Sequence, residues 1–137
     1  MTMRIRKPRC YLLYALAPES VTPQQANQRL NAICGDRSLP LSIYHDHFIG
    51  QPGGLIIFFA DSQDERQALE YLLPEQLSGW EWTLHPLIFS RNPAAFDEQI
   101  RFTLAAYRDR DWDKLRLEER PTYGNPAQEA ETATESD

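Results

Sequence analysis

Residues 10–17 read CYLLYALA, and residues 54–60 read GLIIFFA. Both runs are short and consist of aliphatic and aromatic side chains, a pattern that favours buried β-strands. Successive side chains of a strand point to opposite faces of its sheet, so a strand that is apolar throughout has to be buried on both faces. The two segments are therefore predicted to be central strands of one sheet.

A helix is predicted between these strands. Thr22 is a suitable N-cap, Gln25 completes a capping box, and Pro23 suits the first helical position. Gly35 is predicted to end the helix in a left-handed conformation. Residues 41–49 (LSIYHDHFI) then alternate in part and lead through a Gly- and Pro-rich turn into the second apolar strand, which predicts a β-hairpin.

A second helix, a fourth strand and a third helix follow. The second helix starts at Ser62 and is predicted to stop at Pro74, and the fourth strand is predicted over residues 81–89. The third helix starts near Pro93 and carries an apolar stripe that is predicted to pack inward. The stripe consists of Phe96, Ile100, Leu104 and Tyr107.

The predicted element order is βαββαβ with an additional C-terminal helix, which is an α+β fold. This order resembles the ferredoxin-like arrangement, in which right-handed crossovers give an antiparallel sheet of order 4-1-3-2. The two apolar strands then lie in the centre, and the two crossover helices cover one face only. The other face is predicted to be closed by the third helix, by a second subunit, or by both.

At the level of fold, residues 9–108 resemble the dimeric α+β barrel superfamily, in which two ferredoxin-like sheets pack face to face. The resemblance rests on element order and on the strands CYLLYALA and GLIIFFA. It implies a homodimer, but no activity, because the superfamily includes oxygenases, haem-degrading enzymes, isomerases and regulatory ligand-binding domains. No catalytic residue is transferred by it.

The composition predicts one domain and limits the partners. Residues 1–8 form a basic extension, residues 9–117 the α+β domain, and residues 118–137 an acidic tail with too few apolar side chains to fold. The net charge of -6 argues against a nucleic-acid partner, since such proteins usually carry a basic face. The basic residues near the N-terminus are expected to be solvated, with an acidic partner as the alternative.

The N-terminal sequence imitates a secretory signal, with basic residues, a short apolar run and an Ala-x-Ala site ending at Ala17. We favour the strand, because the run is only eight residues long, contains two tyrosines and is followed by Pro18. No run approaches the ~18 apolar residues of a membrane helix. Two isolated cysteines indicate reduced thiols, so a soluble cytoplasmic protein is predicted.

His45 and His47 are the main candidates for a functional site. In a strand they point to the same side about 6.5 Å apart, a spacing at which two imidazoles can share a metal ion. His85 lies on strand four, about 14 Å from strand two in the predicted order, so no metal site is expected. A ligand-contacting patch of His45 and His47 with Tyr44 and Trp82 is the preferred hypothesis, and solvent-facing edge residues are the alternative.

Other chemistries find less support in the sequence. The turn around Pro52 precedes a strand, whereas a phosphate loop precedes a helix. Aromatic side chains on an exposed sheet can stack RNA bases, but the third strand lacks the Lys/Arg and Gly pattern of such RNA-binding sheets. The aromatic residues are therefore expected to serve core and interface packing. Cys10 and Cys34 have no His partner evident in the sequence and are expected to be structural.

Two classes of function stay open. The chain is expected to be a homodimeric module that binds a small hydrophobic molecule or another protein. The alternative is a cofactor-independent enzyme of the oxygenase or isomerase kind that acts on a small hydrophobic substrate. A deep pocket at one of the histidines would favour the enzyme, and a flat apolar face would favour the interaction module.

Overall fold

The structure is a computed structural model that describes residues 8–88, 90, 92–109 and 111–114 of the 137-residue chain. The chain divides into two compact units, Met1–Ala95 and Phe96–Asp137. The predicted basic extension lies outside the described residues except for Pro8. The predicted acidic tail, residues 118–137, also lies outside them. So does Phe89, the predicted end of strand four, but that strand already ends at Pro86, earlier than predicted.

The first unit contains a four-stranded antiparallel sheet and two helices, so the predicted α+β class is confirmed. The strand order is β2-β3-β1-β4, which reads β4-β1-β3-β2 from the other edge. The two strands that are apolar on both faces are therefore the central ones. The elements in chain order are β1 (Cys10–Leu16), α1 (Pro23–Gly35), β2 (Leu41–His47), β3 (Gly53–Phe59), α2 (Gln63–Gln76) and β4 (Glu81–Pro86).

Helix α1 begins as its sequence predicts and ends differently. Thr22 Oγ1 accepts a hydrogen bond from the Gln25 backbone N–H (3.1 Å), and the Thr22 N–H donates to Gln25 Oε1 (3.0 Å). The prediction that Gly35 ends the helix in a left-handed conformation is wrong, because Gly35 is still helical and Asp36 is the C-cap. The Asp36 carboxylate holds this end by accepting hydrogen bonds from Ser38 and from the Gln76 amide of α2.

Helix α2 continues through the proline that was predicted to stop it. Ser62 caps its N-terminus by accepting a hydrogen bond from the Glu65 N–H (3.1 Å). Pro74 lies inside the helix, which extends to Gln76, so that boundary prediction is wrong. Proline removes one N–H, whose acceptor would be the carbonyl of Glu70. Glu70 and Pro74 are both exposed, so water can replace the lost donor.

The core of the first unit lies between α1, α2 and one face of the sheet, which we call the helix-covered face. Side chains of alternate residues in β1 and β3 are fully buried there against both helices, with Trp82 and Leu84 of β4 packed beside them. Each large aliphatic side chain buried in this way contributes roughly 1.5–3 kcal/mol. The core includes Leu13, Ala15, Ile56 and Phe58 from the strands and Leu30, Ile33, Leu69 and Leu73 from the helices.

The opposite side of the sheet, which we call the open face, is also apolar, as the sequence predicts. None of its described side chains belongs to the core cluster, and Tyr14, Tyr44 and Leu41 are 42, 52 and 62% exposed. The Phe48 ring, just beyond β2, lies 5.1 Å from that of Tyr14. The apolar residues of the open face are Cys10, Leu12, Tyr14, Leu16, Leu41, Tyr44, Leu55, Ile57 and Phe59, of which Cys10 at the end of β1 is fully buried.

Helix α3 (Pro93–Thr103) is followed by a π-helical turn (Leu104–Arg108), and neither contains a buried residue. The predicted inward stripe assumed 3.6 residues per turn throughout. A π-helical turn aligns residues five apart, and the Tyr107 ring accordingly lies 6.0 Å from that of Phe102. Tyr107 thus leaves the predicted stripe. Arg101 of α3 forms ion pairs with Asp97 and Asp113.

Candidate functional site

The two histidines of β2 lie side by side on the helix-covered face. His45 pairs with Ile56 and His47 with Gly54, both buried residues of β3 on that face. The two imidazole rings are 5.5 Å apart and meet edge to face. The prediction that they share one side of the strand is therefore confirmed.

His47 is held against helix α1. Its Nε2 lies 3.2 Å from Oδ1 of Asn31, and its Nδ1 is shielded from solvent without a hydrogen-bond partner. Burial lowers the pKa of His47, the neighbouring His45 lowers it further, and Asp46 partly opposes the shift. A neutral ring is favoured, in which Nε2 contacts Asn31 and Nδ1 is buried without a partner. Asn31 escaped the sequence analysis because nothing distinguishes it from other polar residues of an exposed helix surface.

Tyr44 lies on the open face, because adjacent residues of a strand point to opposite sides. Its hydroxyl donates a hydrogen bond to Oδ2 of Asp46 (3.3 Å). Burial raises the pKa of the Tyr44 phenol, and the Asp46 carboxylate raises it further. Oδ1 of Asp46 accepts from the His47 backbone N–H (2.9 Å), so the carboxylate is fixed at this edge of the sheet.

Trp82 lies at the opposite edge of the sheet and is partly buried. It pairs with Ala15 and packs against the core cluster on the helix-covered face. Strands β2 and β4 are three positions apart, about 14 Å. The structure therefore brings His45 and His47 together, places Tyr44 on the other face, and separates Trp82 from all three.

Three surface pockets within the described residues have linings that include none of these four side chains. The first, of about 660 Å³, lies between α1 and the end of α2 and is lined mainly by polar side chains, together with Val21, Ala32 and Trp80. The second lies beside Arg101 and Trp112, and the third beside Arg37 and Phe59. Among the described residues, no group of three or more His, Cys, Asp and Glu side chains is arranged to hold a metal ion.

Neither cysteine has the environment of a nucleophile. Cys10 is buried in β1, and Cys34 is half-buried in α1, where its Sγ lies 3.5 Å from the Ser42 hydroxyl. Burial raises the pKa of both thiols, which disfavours the reactive thiolate.

Side chains of all four strands converge on the open face. Two rows cross it from β2 to β4, each defined by the residues that pair across the strands. The Tyr44 row is Tyr44, Ile57, Leu12 and His85; the Asp46 row is Asp46, Leu55, Tyr14 and Thr83. Both rows are apolar in the middle and polar at both edges, and His85 Nε2 lies 3.0 Å from Thr83 Oγ1.

An apolar centre with a polar rim is the usual anatomy of a protein interface. Within the described part of the chain, each helix is too short or too polar to cross a bilayer. Comparison with known proteins finds no match to this chain among family models, curated proteins or solved structures.

Proposed function

We propose that this protein is a homodimeric interaction module of the ferredoxin-like kind, which associates through the open face. The observation that carries the proposal is the exposure of Tyr14, Tyr44 and Leu41 on a sheet face whose centre is aliphatic. The two helices bury the other face, and apolar surface of this extent is normally covered by a partner. The order of elements and strands supports the ferredoxin-like assignment.

The size of the open face suits a weak dimer. Strands of seven residues at about 3.3 Å per residue, and four strands about 4.8 Å apart, give a footprint of about 23 by 19 Å. Two such footprints bury roughly 1,000 Å² once side-chain relief is included, which is the lower end of specific interfaces. A dissociation constant in the micromolar range is expected.

The same surface suits a small hydrophobic molecule held between two copies, which is the second part of the proposed role. The enzyme alternative lacks a comparable observation, because the four predicted site residues do not line one of the three pockets. The two free thiols support a reducing compartment such as the cytoplasm.

Light scattering across a concentration series tests the proposal. The native protein is expected to pass from monomer to dimer in the micromolar range. Tyr14→Glu places a charge in the centre of the open face and should keep the protein monomeric. Tyr71→Glu is the matched control, because Tyr71 is 80% exposed on α2, and it should dimerise normally. A native protein that stays monomeric at high concentration, or equal dimerisation of the two variants, would contradict the proposal.

A further inference from the structure

The two edges of the open face carry different polar pairs in the same two rows of the sheet. At the β2 edge, the Tyr44 hydroxyl donates to Asp46. At the β4 edge, the His85 ring bonds to the Thr83 hydroxyl. Tyr44 shares its row with His85, and Asp46 shares its row with Thr83. One edge thus ends in a carboxylate and the other in an imidazole and a hydroxyl.

Two arrangements are available to a symmetric pair of stacked sheets, because a two-fold axis that exchanges them lies in the plane between them. An axis perpendicular to the strands sets each strand over its own copy. An axis parallel to the strands sets each row of one copy over the same row of the other copy. It exchanges the edges of the sheet, so that β2 lies over the partner's β4. The small angle between packed sheets, about 30°, preserves this distinction.

The charges favour the parallel axis. With the perpendicular axis, both copies of Asp46 lie at the same edge of the dimer, where like charges close together are destabilising. With the parallel axis, the two carboxylates lie at opposite edges, about 14 Å apart along the sheet. Each then lies over the row position of the partner's Thr83, and each Tyr44 lies over that of the partner's His85.

We infer that the two-fold axis of the dimer runs parallel to the strands, an inference that rests on the dimer proposed above. Tyr44 and Asp46 of one copy then meet the partner's His85 and the partner's Thr83. Facing sheets lie about 10 Å apart, a gap that a tyrosine and a histidine side chain pointing toward each other can span. Each polar pair supplies what the other lacks, since Asp46 offers an acceptor and the partner's Thr83 and His85 offer donors. Two symmetric polar clusters would flank one apolar centre.

Site-specific cross-linking tests the orientation. In a Cys34→Ser background, one protein carries Tyr44→Cys and another carries His85→Cys, and a short bismaleimide is added to each alone and to their mixture. A bismaleimide is needed because Cα atoms about 10 Å apart are too distant for a disulfide. The mixture is expected to give cross-linked dimers, while each protein alone gives few or none.

The outcomes separate this inference from the dimer itself. If His85→Cys or Tyr44→Cys cross-links to itself and the mixture adds nothing, the parallel axis is wrong although the dimer stands. If all three samples are monomeric by light scattering, the dimer and its orientation both fail. As a second readout, Thr83→Glu should weaken dimerisation at least tenfold by facing the partner's Asp46, and Asp46→Lys in the same chain should restore it. Failure of this restoration would also count against the arrangement.

Discussion

Gly54 occupies a position where a side chain has no space. A Cβ atom there would collide with the carbonyl oxygen of Asp46 and lie 2.9 Å from Cδ1 of Leu30. The backbone of β3 therefore approaches both β2 and α1 at this point. The sequence placed Gly54 at the start of a strand, but the need for a glycine follows from how α1 packs on the sheet.

Gly54→Ala is expected to destabilise the protein by about 1–3 kcal/mol, the usual cost of overpacking a tight site. Gly35→Ala is the matched control. Gly35 is helical, and no atom lies within 4 Å of the added methyl group, so that variant should gain up to about 1 kcal/mol from helix propensity. Urea unfolding of both variants measures the difference, and equal effects would show that the contact at Gly54 relaxes easily.

His47 makes the stability of the fold depend on pH. Its pKa is lowered in the folded protein, so the unfolded chain takes up a proton first as the pH falls. Its contribution to stability is complete above the unfolded value of about 6.5 and is lost as the pH falls through that value toward the folded pKa. His47→Gln should therefore lose less stability than the native protein between pH 7.5 and 5.5.

The comparison needs a control substitution that removes no titratable group. Gln67→Asn serves, because Gln67 is exposed on α2, away from the open face. Urea titrations at both pH values should give this variant the native pH dependence. If His47→Gln also keeps the native pH dependence, burial of the His47 ring does not affect stability in this range.

At the scale of elements, the predictions that depend on neighbouring residues agree with the structure. The caps at Thr22 and Ser62 are satisfied within one turn, and their hydrogen bonds form as predicted. The predicted helix ends at Gly35 and Pro74 were wrong for different reasons. The end of α1 is held by a contact that is distant in sequence, and at Pro74 solvent replaces the lost hydrogen-bond donor. Gln76 of α2 bonds to Asp36 at the end of α1, forty residues away, which a local pattern does not reveal.

The candidate site shows the same division. Alternation along β2 predicted correctly that His45 and His47 share a side. Which side they occupy depends on pairing with β3, and alternation alone does not specify it. Tyr44 and Trp82 were grouped with the two histidines as aromatic neighbours. Alternation along β2 places Tyr44 on the other face, and strand order places Trp82 at the other edge of the sheet.

Helix α3 was expected to bury an apolar stripe, and Ile100 belongs to that stripe. Ile100 is 38% exposed, and no residue of α3 is buried. Ile100→Ala should therefore cost less than about 1 kcal/mol, whereas Leu69→Ala, a fully buried site on α2, should cost about 2–5 kcal/mol. Chemical denaturation measures both, and a loss of several kcal/mol at Ile100 would mean that α3 packs more deeply than its exposure indicates.

At the scale of the whole molecule, two-sided apolarity of β1 and β3 was readable from the sequence because it depends only on composition and alternation. The sequence does not indicate what covers the second face, since a covering helix and a second subunit both require apolar side chains there. The two cases differ in how stability depends on protein concentration. If a helix of the same chain covers the face, stability is independent of concentration, whereas cover by a second copy makes stability rise with concentration by mass action.

The melting temperature should therefore rise with protein concentration. Because a dimer stabilises the folded state by mass action, a hundredfold increase through the micromolar range should raise the midpoint by roughly a few degrees for a chain of this size. Tyr14→Glu should remove this dependence by charging the centre of the open face, and Tyr71→Glu on α2 should retain it. Scanning calorimetry at several concentrations measures the effect. A midpoint that stays constant for the native protein would mean that the open face has no second copy on it, because association that buries this surface has to add to the free energy of unfolding.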